Sequence, residues 1–243
     1  MLQVCRFVQV SGKCEIIHIT KVSYLKEGNL FVTGKTGYRI AEEATKKGIK
    51  VKKIVRKNSK VKEDSKNTET LRVSLDNKDE LDKALENIDA LIIATGARPS
   101  LDLTGPAKVD ALGVYRQLQS CKRVGLKRVI LVSSLCTGKL FHPLNLFGLI
   151  LIWKKLGEKF LRNKNFEWTI IRPGGLNENE LINSENIEYS KEDKQFKGSI
   201  PRRLVAQCCI DSLRNKQSVN KIIEVTSSSE NKKVSFKKAI QTI

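Results

Sequence analysis

Histidine is scarce in this 243-residue sequence, which contains only His18 and His142. Six cysteines occur, but none forms a C-x-x-C pair, so no zinc-ligand cluster can be assembled at standard spacing. The sequence therefore predicts no metal site. Cys208 and Cys209 are adjacent in an apolar stretch, where thiols pack as small core residues, and we expect reduced cysteines in an intracellular compartment.

Long apolar runs are also missing. The longest extends from Leu140 to Trp153 and is interrupted by polar residues, whereas a membrane-spanning helix needs about 20 apolar residues. The first residues lack the basic start, apolar block and cleavage site of a secretory signal. With 40% hydrophobic and 29% charged residues, the sequence indicates a globular protein.

Acidic residues are outnumbered: 26 Asp and Glu stand against 45 Lys and Arg, which gives a net charge of +19. Such a charge suits nucleic acid. However, the lysines are spread along the whole chain and are not interleaved with aromatic residues, which make up only 6%. We therefore expect a nucleotide cofactor and no specific nucleic acid, with an anionic membrane surface as at most a peripheral partner.

The stretch from Val32 to Arg56 carries the strongest positive signal. An apolar segment leads into the loop Thr33-Gly34-Lys35-Thr36-Gly37, an amphipathic helix follows, and a second apolar segment ends at Arg56. This is the opening strand, helix and strand of a nucleotide-binding fold. Its glycines let the backbone approach phosphate oxygens, and the N–H groups at the start of the helix face the anion.

Beyond this stretch, apolar and amphipathic segments alternate, which indicates an α/β fold with a doubly wound parallel sheet covered by helices on both faces. Residues 1–28 do not fit the pattern and predict either a β-hairpin extension or a poorly ordered one, before a single domain over residues 29–243. The predicted strands are 30–33, 50–55, 71–75, 89–94, 128–132 and 168–171, and the predicted helices are 37–47, 78–87, 109–125 and 150–163.

Small and hydroxyl-bearing residues follow the predicted strands, at the sheet edge where such folds bind their ligands. We predict that this edge forms a cofactor site from Leu75, Ala94, Thr95, Gly96, Ala97, Ser133, Pro173, Gly174 and Gly175, together with Gly34, Lys35, Thr36 and Gly37 of the glycine loop.

Five segments carry a resemblance to a known family. They are Ala94–Asp110 (ATGARPSLDLTGPAKVD), Gly125–Leu135 (GLKRVILVSSL), His142–Gly148 (HPLNLFG), Trp168–Leu176 (WTIIRPGGL) and Gly198–Ala206 (GSIPRRLVA). In these segments the chain resembles the atypical short-chain dehydrogenase/reductases of the NmrA-like group, above all their cyanobacterial and plastid branch. The resemblance implies a Rossmann-type NAD(P)-binding fold, oxidoreductase or redox-sensor function, and a location in the bacterial cytoplasm or the plastid stroma.

The resemblance also implies catalytic positions. Tyrosine-dependent relatives use Y-x-x-x-K, in which the tyrosine donates a proton and the lysine binds the nicotinamide ribose. Lys154 takes the place of this lysine because it precedes Glu158 with the K-x-x-x-E spacing of the family, whereas Ile150 stands where the tyrosine would be. We therefore assign catalytic roles to Lys154 and Ser134, Lys154 also binding the cofactor, and expect the proton to come from water or from another side chain. His142 is a candidate proton donor, but its position before Pro143 favours a structural role.

Two arginines favour NADP over NAD. Arg56 ends the second strand, where an acidic residue would bind the ribose hydroxyls of NAD, and Arg39 lies one turn into the first helix, within reach of a 2′-phosphate. We predict NADP as the cofactor and an unidentified small molecule or protein as a further partner.

The glycine loop departs from the family pattern. Relatives carry G-A-T-G-x-T-G, of which about three residues are missing before Gly34. A shorter loop would pull the helix against the sheet and narrow the pyrophosphate site. The alternative function is therefore a non-catalytic scaffold or assembly protein with weakened cofactor binding.

Overall fold

A computed structural model describes residues 29–33, 35–55, 64, 67–96, 104–139, 141–178 and 186–243. The hairpin extension predicted over residues 1–28 lies outside these ranges. The strands are β1 (Asn29–Thr33), β2 (Lys50–Val55), β3 (Thr68–Arg72), β4 (Ala90–Ile93), β5 (Arg128–Val132), β6 (Glu167–Pro173), β7 (Gly175–Asn177), β8 (Asn186–Ser190), β9 (Ser199–Pro201) and β10 (Lys221–Ser228). The helices are α1 (Lys35–Lys46), α2 (Lys78–Leu85), α3 (Val114–Val124), α4 (Ile150–Leu161), α5 (Arg202–Leu213) and α6 (Phe236–Thr242).

Eight of the strands form one sheet in the order β3-β2-β1-β4-β5-β6-β10-β8. All neighbours in it are parallel except β10 and β8, which are antiparallel, and β7 pairs with β9 in a separate small sheet. The order of the first six strands is that of doubly wound dinucleotide-binding folds, and it reverses direction between β1 and β4. The predicted fold class is confirmed, and the reversal places a ligand crevice at the carboxyl ends of these two strands.

Apolar clusters cover both faces of the sheet. One cluster contains Ile40 of α1 and Val205 of α5. The other contains Leu81 of α2, Leu118 of α3 and Leu161 of α4. Strands β4 and β5 are buried along their whole length, which explains why their sequences are continuous runs and do not alternate with exposed polar residues.

Four predicted strands have other bounds in the structure. β1 begins at Asn29, one residue earlier than predicted, and β4 is one residue shorter at each end. β3 covers Thr68–Arg72 and not residues 71–75, because its pairing with Val51–Val55 of β2 fixes its register. β6 extends to Pro173, two residues beyond its predicted end, because β10 pairs with it as far as Val225. The predicted bounds of β2 and β5 are confirmed without change.

Local backbone geometry corrects the helices. α1 begins at Lys35, two residues earlier than predicted. α2 ends at Leu85, ahead of Asn87, whose φ is 59°. The predicted helix over 109–125 consists of a π-helical turn, Ala107–Gly113, followed by α3, and it ends at Gly125 with a left-handed φ of 76°. α4 is two residues shorter at its end than predicted.

The described cysteines behave as core residues. Cys121, Cys208 and Cys209 are 0% exposed. Burial raises the pKa of the Cys121 and Cys208 thiols to about 12. Burial also raises the pKa of Cys209 well above its ordinary value. These three thiols therefore stay protonated and unreactive at neutral pH.

Two kinds of feature are absent from the described ranges. None of their helices combines the length and apolar character needed to cross a membrane. Nor do these ranges contain a group of three or more His, Cys, Asp or Glu side chains placed to hold a metal ion.

Candidate functional site

A single residue, Gly34, separates β1 from α1. The first turn of α1 packs tightly on the sheet: Thr36 is buried, and a Cβ atom added to Gly37 would lie 2.8 Å from Cγ1 of Val32. Glycine at this position allows the helix to begin this close to the strand. The first N–H groups of α1, which have no partner within the helix, consequently lie at the carboxyl end of β1.

Lys154 and Asp110 form a buried ion pair beyond the carboxyl ends of β4 and β5. Nζ of Lys154 donates to Oδ1 of Asp110 over 2.8 Å, and the two side chains are 14% and 1% exposed. Thr95 and Ser133, which follow these strands, line the same small cavity. A Cβ atom added to Gly96 would lie 3.7 Å from Nζ of Lys154. The structure thus brings four of the predicted site residues together around Asp110.

Close helix packing explains the position of Lys154. A Cβ atom added to Gly157 of α4 would lie 2.5 Å from the backbone oxygen of Asp110, so a larger residue would push the two segments apart. Lys154 precedes Gly157 by about one helical turn and therefore lies on the same face of α4. Asp110 belongs to the π-helical turn, a local geometry that frequently occurs at functional sites.

Hydroxyl groups follow β5 at the same edge. Ser133 is buried, and its Oγ lies 3.3 Å from Oγ1 of Thr137. Oγ1 of Thr137 also donates a short hydrogen bond to the backbone oxygen of Ser134. Ser134 itself is half-buried. The turn after β5 is therefore fixed by its own side chains.

The segment Pro173-Gly174-Gly175 passes through a close backbone contact. A Cβ atom added to Gly174 would lie 2.5 Å from the backbone oxygen of Gly198, and N–H of Gly175 donates to that oxygen over 2.9 Å. The backbone N–H of Gly174 donates to the backbone oxygen of Val225 over 3.0 Å. Packing against Gly198 alone is therefore sufficient to require glycine at position 174.

Arg172, just before this segment, is fully buried among carboxylates. Its Nε and Nη2 donate to the two carboxylate oxygens of Glu158 over 2.9 and 2.8 Å. Glu192 and Asp193 accept further hydrogen bonds at 2.8 and 2.9 Å, and Glu224 lies at 3.5 Å. Burial alone would lower the pKa of Arg172, but the carboxylates of Glu158, Glu192 and Asp193 raise it above its ordinary value.

Glu224 connects this cluster to the following loop. Its buried carboxylate accepts the backbone N–H groups of Asp193, Lys194 and Gln195 over 2.9, 2.9 and 2.8 Å. The loop after β8 is therefore fastened to β10.

The other predicted site residues are more dispersed. Ala94 is buried directly after β4. Leu75 lies in the turn after β3 and packs partly into the core, rather than ending a strand. Arg39 pairs with Glu42 at 3.0 Å and with Glu178 at 3.6 Å, so a phosphate would compete with two carboxylates for it. Lys35 begins α1, whereas Gly34, Arg56 and Ala97 lie outside the described residues.

His142 has the structural role that its position before Pro143 predicts. Its Nδ1 accepts the backbone N–H of Leu144 over 3.2 Å and so caps the short 3-10 helix Pro143–Phe147. This bond holds the connection between β5 and α4 rather than the cavity around Asp110.

Sequence reasoning missed Asp110, Arg172 and Glu224 as members of the site region. The available signal was a charged residue within an otherwise apolar segment, as in Ile222-Ile223-Glu224-Val225. Charged side chains are almost never fully buried unless they are paired, so each of these positions implied a partner elsewhere in the chain.

The residues at this edge fit a nicotinamide dinucleotide. Oγ1 of Thr95 is buried and has no hydrogen-bond partner within the described ranges, which leaves it available to a ligand hydroxyl. Gly37 keeps the start of α1 next to β1, where an anion would be stabilised by the helix N–H groups. Nζ of Lys154 borders the same cavity.

Two relatives illustrate where the chain belongs. A chloroplastic protein of Arabidopsis thaliana without an assigned function is 35% identical over 219 residues, which cover 84% of this chain and 78% of the relative. Sanguinarine reductase of Eschscholzia californica is 33% identical over 130 residues, covering 51% of this chain and 47% of the enzyme.

Solved structures agree on the fold. An oxidoreductase of Lactococcus lactis superposes with a TM-score of 0.72 at 23% identity, over 88% of this chain and 96% of that one. A short-chain dehydrogenase/reductase of Veillonella parvula in complex with NADP superposes with a TM-score of 0.68 at 17% identity, over 86% and 99%.

The profile of the NAD(P)H-binding family matches residues 32–216. This range includes the start of α1, the ion pair of Lys154 and Asp110, and the Pro173-Gly174-Gly175 segment. The chain is a member of the NAD(P)H-binding family, of the NmrA-like, atypical short-chain dehydrogenase/reductase type.

Proposed function

We propose that the protein is an NADP-preferring oxidoreductase that works without the usual tyrosine. The observation that carries this proposal is the ion pair of Lys154 and Asp110, which holds an ammonium group in a cavity shared with Thr95 and Ser133. An ion pair with this little exposure is costly to desolvate, and functional sites are where proteins retain such groups.

The roles of the residues follow from their positions. The start of α1 would hold the pyrophosphate, Thr95 and Gly96 would border the ribose, and Lys154 would bind the nicotinamide ribose. When bound, NADPH supplies a hydride for a carbonyl or an activated alkene. In this proposal Asp110 keeps Lys154 oriented, and Ser134 would hydrogen-bond a substrate oxygen. Because Ile150 cannot donate a proton, the proton comes from water or from another side chain.

Replacing Lys154 with methionine should weaken NADPH binding at least about tenfold, because a charge-assisted hydrogen bond contributes about 1.5–3 kcal/mol. The matched control is Lys155→Met, the neighbouring and more exposed lysine, which should leave the dissociation constant unchanged. The titration can be followed by the fluorescence of Trp153 and Trp168. Equal dissociation constants for the two variants would remove Lys154 from the cofactor site.

NADPH should bind at least about tenfold more tightly than NADH, since a contact between Arg56 and the 2′-phosphate is charge-assisted. The same titration measures both affinities, and Arg56→Gln should abolish the difference. A preference for NADH in the unmodified chain would contradict this proposal.

A second function is favoured by one specific observation. Because only Gly34 joins β1 to α1, fewer backbone N–H groups converge on a pyrophosphate than in a longer loop. In this alternative the protein keeps the fold but acts as a scaffold or assembly protein with weak cofactor binding.

Loop insertion distinguishes the two functions. Inserting three residues between Thr33 and Gly34, to give a G-A-T-G-K-T-G-like loop, should strengthen NADPH binding at least about tenfold if the short loop limits affinity. The control is an insertion of equal length between the exposed residues Lys232 and Lys233. If the unmodified chain already binds tightly and the insertion weakens it, the short loop is competent and the scaffold function is rejected.

The plastid stroma is the location that we propose, because the relative with 35% identity is chloroplastic. A bacterial cytoplasm is the alternative that the family resemblance leaves open. Besides the dinucleotide, the proposed partner is a small molecule or a protein at the open side of the crevice.

A further inference from the structure

A lysine and an aromatic ring form an exposed platform beside the crevice. Nζ of Lys139 lies 3.7 Å from the centroid of the Phe196 ring, and Phe196 is 57% exposed. Within the described residues, Lys139 has no ion pair with a carboxylate. The acidic residues Glu192 and Asp193, in the same loop as Phe196, are engaged by Arg172. The ammonium of Lys139 is therefore positioned by a ring and has no anionic partner among the described residues.

The platform lies at the same sheet edge as the proposed cofactor site. Sγ of Cys136, in the turn after β5, donates to the backbone oxygen of Phe196 over 3.5 Å. The backbone oxygen of Gly198, two residues after Phe196, accepts the backbone N–H of Gly175. The backbone around Phe196 is thus hydrogen-bonded both to the turn that carries Ser133 and Ser134 and to the segment that follows β6.

The segments that carry or adjoin the platform contain large apolar side chains that are open to solvent. Phe141, two residues after Lys139, is 98% exposed, and Leu146 on the same connection is 82% exposed. Leu176, directly after the Gly174-Gly175 pair, is 36% exposed. Large apolar side chains at such exposure, next to a crevice, are typical of a ligand-binding surface.

We propose that Lys139 and Phe196 form the substrate subsite of this oxidoreductase, and that the substrate is a flat aromatic compound carrying a carboxylate or another anionic group. This proposal rests on the proposed function, because it places the substrate at the open side of the cofactor crevice. Because Lys139 covers one face of the Phe196 ring, the ring contacts the aromatic part of the substrate by its edge, and Lys139 pairs with the anion. The same lysine repels cationic aromatic compounds, so the subsite selects by charge as well as by shape.

Two fluorescent probes that differ only in charge test the subsite. Anilinonaphthalene sulfonate carries an anionic group on an aromatic frame, and N-phenylnaphthylamine is the same frame without the sulfonate. The sulfonate should bind the unmodified protein at least about tenfold more tightly than the neutral probe, because its contact with Lys139 is charge-assisted. Lys139→Gln should remove this preference without changing the affinity for the neutral probe, and Phe196→Ala should weaken both.

The matched control is Lys197→Gln, an exposed lysine next to the same ring in sequence, which should leave both affinities unchanged. Equal binding of the two probes to the unmodified protein, or an unchanged sulfonate affinity in Lys139→Gln, overturns the proposal. NADPH titration of the same proteins separates the two proposals. Loss of the probe pattern with intact NADPH binding refutes the subsite alone, whereas an intact pattern without NADPH binding refutes the oxidoreductase function and leaves an anionic aromatic site.

Discussion

Replacing Arg172 with methionine should lower the free energy of unfolding by about 3–5 kcal/mol, because removing one partner of a buried ion pair leaves the other charge without compensation. The side chains of Glu158 and Glu224 are 1% and 0% exposed, and both lie against the guanidinium. Methionine approximates the length of the arginine stem, so the effect measures the lost charge and hydrogen bonds rather than a cavity. Chemical denaturation followed by circular dichroism measures the change.

The matched control for this substitution is Arg162→Met. Arg162 also pairs with a member of the cluster, Glu192, but at 3.4 Å and with a side chain that is 41% exposed. Exposed ion pairs contribute about 0–1 kcal/mol, so this variant should remain close to the unmodified protein. If the two variants lose similar stability, the buried cluster is not a main support of the sheet edge.

Replacing Gly157 with alanine should both destabilise the fold and weaken cofactor binding. The added methyl would lie 2.5 Å from a backbone oxygen, which cannot rotate away as a side chain would, so α4 must move from the π-helical turn. Overpacking of this kind costs about 1–3 kcal/mol. The movement also separates Lys154 from Asp110, and we expect NADPH affinity to fall at least about tenfold. Thermal unfolding and NADPH titration measure the two effects.

Lys159→Ala is the control for Gly157→Ala, because it introduces the same residue on an exposed position of the same helix. Alanine favours helix more than glycine does, so without the close contact Gly157→Ala would stabilise α4 by up to about 1 kcal/mol. A stabilised variant with unchanged NADPH affinity would therefore show that the helix spacing does not position Lys154.

Features encoded within one segment were predictable from the sequence. The bounds of β2 and β5 agree with the predicted ones, and the buried residues of α2, which are Leu81, Ala84 and Leu85, recur at helical spacing. Burial on both faces of a parallel strand leaves a continuous apolar run in the sequence, and this signal needs no knowledge of the partner strand. The position of Thr95, Ser133 and Gly174 at one edge followed from the same parallel topology.

Features that depend on distant partners were not predictable. The register of β3 is set by β2 and not by its own residues, which is why the predicted strand was displaced. Asp110 and Lys154 are 44 positions apart, and nothing in either segment specifies the other. The buried surroundings of Arg172 combine residues from α4, the loop after β8 and β10. A single sequence contains the members of such a cluster but not the list of its contacts.

The three backbone N–H groups held by Glu224 have a consequence for how the crevice responds to ligands. Amide hydrogens that are bonded to a fully buried carboxylate exchange with solvent only when the surrounding structure opens. The amide hydrogens of Asp193, Lys194 and Gln195 should therefore be among the slowest to exchange for deuterium outside the central strands. This part of the loop after β8 is then preformed and rigid. Adaptation to ligands of different size would then fall to the connection between β5 and α4, which carries Lys139 of the proposed subsite.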